Sequence, residues 1–281
     1  MGAKKILSVA NYAHHVEPTL RDGLDRDKIL ICDQLSPSEV IGQALDYKFQ
    51  HICQISHPAF DSEINASALM VKDVGYFLDN PLTSVLASQK RNQVTDGKFE
   101  LYRAIFTNSN QKNKILNDMS DRLKSMKMPS TLTSDARIVA DELITNAIYN
   151  APYVNLENEN LGASRTPPEV RMTGGKSGSI TLGINDQTLA ICCIDPYGTL
   201  NIPKLLARVK NCFDQGVASN MRMNESYGAG IGSFMTYNAS MSYYAVVEER
   251  VRTMICGLLP LNMSAKIRTT VSKNLHYEII K

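Results

Sequence analysis

The chain has 281 residues, 43% of them apolar and 21% charged, a balance that suits a globular protein and excludes disordered, collagen-like and disulfide-scaffold classes. Thirty basic against 28 acidic residues leave a net charge of +2, too small to attract nucleic acid or a membrane surface by long-range field. At roughly 100–150 residues per domain the length suggests two domains.

In chain order, KKILSVA reads as a first strand, cut short by Asn11, His14 and His15. It lacks the apolar core of a signal peptide, about 7–15 residues, and no later run approaches the roughly 18 of a membrane span. A cytoplasmic protein without a membrane partner is expected. KILICD and HICQIS are two further short strands, and SPSEVIGQALDYK between them has a Ser-Pro start with Val40, Ile41 and Leu45 at helical spacing. NPLTSVL is another punctuated segment. Residues 1–90 are therefore read as a small α/β module with a partly parallel sheet. The order faintly resembles a response-regulator receiver, one that has Asn11 and Ser56 where that family needs its acidic residues.

QKRNQVTDGK is polar and turn-rich, which marks a linker. From Phe99 to Met126, with a break near TNSN, apolar Leu101, Ile105, Ile115, Leu116, Met119 and Leu123 recur at roughly helical intervals. Residues 91–128 are expected to be a linker and helical connector, packed within the chain or used as a homodimer contact. Residues 129–281 then form a second, α+β domain. The six cysteines show no C-x-x-C spacing and no histidine partner at zinc-site distance, so packing as reduced thiols is the reading.

The chemistry concentrates in the second domain. STLTSDARIVADELITNAIYNAP reads as one long helix, and Glu142, Asn146 and Asn150, each four apart, line one edge of it. SITLGIND and TLAICCID form a strand pair that ends in DPYGTL, where Asp195 emerges from a deeply apolar strand. In YGAGIGSFMTYNAS, Gly228, Gly230 and Gly232 precede a helical run; alternating glycines admit a close phosphate approach beside a helix N-terminus. TGGKSGS is a turn rather than a P-loop, since Val170 stands where that motif needs its first glycine. No G-x-S-x-G elbow is present.

These three segments, in this order, resemble the GHKL superfamily of ATPases, the fold shared by histidine kinases, gyrase-type topoisomerases, heat-shock chaperones and bacterial anti-sigma serine kinases. DELITNAIYNAP matches the N box, CIDPYGTL the first glycine box and GAGIGSF the second, with YYAVVEERVRTMICGLLPL as a closing hairpin. The match covers about residues 130–261. The resemblance implies a C-terminal GHKL α/β sandwich with ATP and Mg²⁺ as cofactors. It further implies that Asn146 coordinates Mg²⁺, that Asn150 lies along the same nucleotide-binding edge, and that Asp195 accepts a hydrogen bond from the adenine amino group. Gly198 would shape the adenine pocket, while Gly228, Gly230 and Gly232 would hinge the lid and contact phosphates.

Glu142 occupies the position of the general base in members that activate a hydroxyl or water. Two departures stand out: Asp195-Pro-Tyr-Gly198-Thr-Leu200 shifts one glycine of the D-x-G-x-G pattern and lacks the other, and Tyr149 stands where histidine kinases often carry Lys or Arg. The lid between the glycine boxes carries Lys204, Arg208, Lys210 and Arg222. The function implied is an anti-sigma-like serine/threonine kinase acting on a regulatory protein partner of the sigma-factor or anti-anti-sigma type. The alternative is a nucleotide-sensing adaptor with weak or absent catalysis.

Overall fold

The computed structural model describes residues 5–87, 99–153, 169–217, 231–268 and 270–281. Among the described residues nine strands are formed: β1 (Lys5–Leu7), β2 (Ile29–Asp33), β3 (His51–Gln54), β4 (Glu100–Phe106), β5 (Gly178–Ile184), β6 (Thr188–Asp195), β7 (Ser242–Glu248), β8 (Arg252–Pro260) and β9 (Asn274–Ile280). They make one mixed sheet in the order β1-β2-β3-β9-β7-β8-β6-β5-β4. Only β2/β3 and β7/β9 are parallel; the other pairs are antiparallel.

The helices are α1 (Pro37–Asp46), α2 (Phe60–Lys72), α3 (Val74–Asp79), α4 (Pro81–Leu86), α5 (Asn110–Ser125), α6 (Ser130–Thr145), α7 (Ile202–Gln215), α8 (Ile231–Ala239) and α9 (Ala265–Arg268). The Ser-Pro start of α1 acts as read: the Ser36 side chain accepts from the Glu39 N–H, the Glu39 carboxylate accepts from the Ser36 N–H, and Pro37 opens the helix. This is a capping box, satisfying two end donors reciprocally.

Alternation along the strands sorts the core into two faces. Leu189, Ile191 and Cys193 of β6 face α5 and α6, while Tyr243, Ala245 and Val247 of β7 face α1, α7 and α8. Their neighbours Ala190, Cys192, Tyr244 and Val246 point the other way, onto α3 and α4, and Ile29, Ile31 and Cys53 meet α2. The sheet is thus covered on both sides. That is why LAICCI reads as a continuous apolar run, and all six cysteines are buried and unpaired within the layers.

Two expectations change. Strand β1 runs antiparallel to β2, and β3 pairs with β9 from the far end of the chain; the first strands do not form the parallel, doubly wound sheet of a receiver. Among the described residues one sheet takes strands from both sides of the division expected near residues 90–128. The front of the expected helical connector, Glu100–Phe106, is a strand paired with β5. Leu101 and Ile105 suggested a helix by their spacing of four, but Tyr102, Ala104 and Phe106 pack against the core at a period of two, Leu101 joins them at a register shift in the β4/β5 pairing, and Ile105 is 62% exposed.

A polar cluster joins α2 to the sheet. Glu63, 1% exposed, accepts hydrogen bonds from Tyr244 Oη (2.7 Å), His276 Nε2 (2.7 Å) and the Ser242 hydroxyl. His57 Nδ1 accepts from the Ala59 N–H, so its Nε2 donates to Ser242. Ser67 Oγ lies 3.1 Å from His276 Nδ1 and 2.8 Å from the Glu63 carbonyl. Serine, histidine and glutamate stand in contact here, yet all are buried beneath α2 and out of reach of a substrate. The cluster holds the layers together.

Candidate functional site

Helix α6 ends in an irregular turn. The long helix expected through Asn150 is α-helical only to Thr145; Asn146–Asn150 is a π turn closed by the Ala151 N–H donating to the Asn146 carbonyl, and Ala151–Tyr153 tightens into a 3₁₀ turn. Single π turns inside helices occur often at functional sites. Along this edge Asn146 Nδ2 donates to Glu142 Oε1 at 2.8 Å, and Asn150 Nδ2 donates to Asn146 Oδ1. The three residues expected on one edge form a hydrogen-bonded row. Beside it, Lys112 of α5 pairs with Asp141 at 2.8 Å and donates to the Thr145 hydroxyl at 3.1 Å.

Asp195 closes β6. It is 9% exposed, and burial pushes its carboxyl up to about 6 against the pull of the Tyr197 N–H, which donates to Oδ1 at 2.9 Å. Directly across on β8 stands Thr253, buried, with a hydroxyl that finds no partner of good hydrogen-bond geometry. The same hydroxyl helps hold the Asp195 carboxyl down against burial, so the two groups face each other at the end of β6.

Three residues on, Gly198 adopts φ +61°, and a Cβ there would overlap the Glu248 carbonyl oxygen at the β7–β8 turn. The Arg250 N–H donates to the Gly198 carbonyl at 3.1 Å. Gly198→Ala is expected to destabilise the fold by at least about 2 kcal/mol, the left-handed penalty plus a clash with backbone. Urea denaturation measures it, and an unchanged midpoint would contradict the close approach.

Tyr197 is packed in the core shared with α6, its hydroxyl within 3.3 Å of both the Thr173 carbonyl and hydroxyl, and Lys176 Nζ lies 4.9 Å from its ring centre. Thr173 and Lys176 belong to the TGGKSGS turn, where Gly174 and Gly175 both have positive φ. The ring is therefore fixed from the turn side. The Thr199 hydroxyl donates to the Ala151 carbonyl at 2.8 Å, tying the Asp195 end of β6 to the end of α6.

The third segment meets the first. A Cβ on Gly232, in the first turn of α8, would overlap the Glu142 carboxylate, so a larger residue would have to push that side chain aside. Gly228, Gly230 and Arg222 lie outside the described residues. The first part of the expected lid is the regular helix α7, capped by Asn201 and packed through Ile202, Leu206 and Val209. Lys204, Arg208 and Lys210 ride on it, and Lys210 pairs with Asp214 at 2.6 Å.

The structure thus gathers Glu142, Asn146, Asn150 and Gly232 into one group and Asp195, Gly198 and Thr253 into a second. Thr253 was missed because only the β6/β8 register, which RTMICGLLP does not reveal, sets it opposite Asp195. Among the described residues no cluster of three or more His, Cys, Asp or Glu is placed to hold a metal ion, and no helix is long and apolar enough to cross a membrane. No protein-family model matches the chain, and no curated protein matches it in sequence.

Proposed function

We propose that the chain binds ATP with Mg²⁺ in a GHKL-type site and transfers phosphate to a serine or threonine of a regulatory protein partner. The observation that carries this reading is the approach of Gly232 to Glu142, with Asn146 bonded to the same carboxylate. Residues from two of the three boxes, about ninety positions apart, meet there.

The donor set suits the cofactor. Magnesium takes oxygen ligands and is commonly held by one or two protein groups together with substrate phosphates, so Asn146 Oδ1, which keeps a second lone pair beyond its bond to Asn150, needs no further carboxylate. When bound, the ion supplies neutralisation of phosphate charge. Asp195 and Thr253 present an acceptor and a hydroxyl to the base. Glu142 takes the proton of the partner's hydroxyl; the hydroxyl oxygen bonds to the terminal phosphorus as the bond to the ADP oxygen breaks, and ADP leaves.

Mg-ATP is expected to raise the melting temperature, and Asp195→Asn or Asn146→Ala to remove that shift. The Asp195 carboxyl is charged only above about pH 6, so the shift should weaken as pH falls through 6. An unchanged melting temperature at millimolar nucleotide sinks the assignment. The second reading, a nucleotide-sensing adaptor, is favoured by Tyr197, held between Thr173 and Lys176 within the shifted glycine pattern. Binding without transfer would select it.

A further inference from the structure

Lys273, the residue before β9, is 2% exposed although it carries an ammonium group. Its Nζ donates to the Asn238 carbonyl at 2.8 Å and to the Ser240 carbonyl at 2.6 Å. The carbonyls in the last turn of a helix have no partner within it, and the helix dipole places partial negative charge there. The ammonium therefore caps the carboxyl end of α8. Lys273 is itself anchored, because its carbonyl accepts from Gln54 Nε2 at 2.9 Å and the next residue's N–H donates to the Met241 carbonyl. The same nine-residue helix places Gly232 against Glu142 at its other end.

We infer that Lys273 is a positioning residue, whose ammonium clamps the carboxyl end of α8 and thereby fixes Gly232 against the Glu142 carboxylate. The clamp itself stands on geometry alone; its consequence for nucleotide rests on the function proposed above. Burial lowers the Lys273 ammonium to about 8, so the clamp loses its charge as pH rises from 7 to 9. Facing it are Tyr237 of α8, which burial pushes up, and His57, which burial pushes down. Glu63 lies beyond Ser242 and is held low. None of these three changes charge between pH 7 and 9.

Hydrogen exchange of the full chain without nucleotide tests the clamp. At pH 7, Lys273→Met should lose about tenfold in protection across Ile231–Ala239, the scale of a charged hydrogen bond, and Lys273→Arg should restore much of it. A lysine released when α8 opens keeps its proton up to its ordinary value of 10.5, while the clamped one loses it at about 8, so protection in wild type, corrected for intrinsic rates, should rise between pH 7 and 9, and in the methionine variant stay level. Equal protection in wild type and Lys273→Met, or a level wild-type profile, overturns the inference; the profile decides alone if the variant does not fold. Mg-ATP melting shifts then separate the two claims. A clamp without any wild-type shift leaves the positioning intact and removes the nucleotide reading, whereas a loosened α8 with undiminished affinity and transfer overturns the link to Glu142.

Discussion

Glu63→Ala is expected to cost about 3–5 kcal/mol of stability, the usual scale for removing one partner from a buried charged network. The loss is large because Tyr244, Ser242 and His276 all donate to this carboxylate and would be left unsatisfied beneath α2. Total stabilities of about 5–15 kcal/mol make this a sizeable fraction of the whole. Burial alone would raise the Glu63 carboxyl, but His276, His57 and Ser242 outweigh it and hold it at about 2.

The sign of the pH dependence follows. A carboxyl with a lowered folded pKa contributes stability above its ordinary value of 4.5, and that contribution disappears as pH falls toward 2. His51 acts in a higher window: burial lowers it to about 4 from 6.5, so the unfolded chain takes up protons first and stability falls as pH drops through that range. In urea titrations from pH 7 to 2, wild type should lose stability in both windows, and Glu63→Ala chiefly in the upper one. Equal stability of the two proteins at pH 7 would remove the network from any account of how α2 is held.

What was legible in the sequence was local. The Ser-Pro opening marked the start of α1 and SITLGIND with TLAICCID marked the β5/β6 pair, because caps and strand patterns depend on near neighbours, while the family resemblance supplied YYAVVEERVRTMICGLLPL as the β7/β8 hairpin. The row of Glu142, Asn146 and Asn150 was legible for the same reason, although the π turn that closes it was not. Adjacency of distant segments was hidden. Strand β9 carries His276 and Glu278 into the middle of the sheet, polar residues that contradict the apolar signature of a central strand until their partners Glu63, His51 and Lys28 are in place.

The same limit applies to the two groups of candidate residues. Asp195 was singled out by emerging from an apolar run, a signal contained in ten residues. Its relation to Thr253 needed a strand register, and the contact of Gly232 with Glu142 needed the packing of two helices. Glycine spacing marked close approach without saying to what. For Gly198 the neighbour is the Glu248 carbonyl, a structural fit of one hairpin; for Gly232 it is the side-chain carboxylate of Glu142.

Glu142→Gln is expected to lower phosphoryl transfer to a partner by about 10²–10⁴ while leaving the Mg-ATP melting shift in place, since a general base contributes on that scale to rate rather than binding. Glutamine preserves the volume beside Gly232 and can still accept from Asn146 Nδ2, but cannot take up the hydroxyl proton. Gly232→Ala perturbs the same carboxylate differently: α8 stays helical, yet the added methyl overlaps Glu142 and must displace it. Transfer should fall in this variant as well, now with weaker nucleotide binding, because Asn146 is bonded to the group that moves. Labelled ATP with cell extract measures transfer, and thermal melting measures binding, on the same preparations. If Glu142→Gln labels a partner as efficiently as wild type, Glu142 is not the base. If neither protein labels anything while both melt higher with Mg-ATP, the nucleotide-sensing reading replaces the kinase.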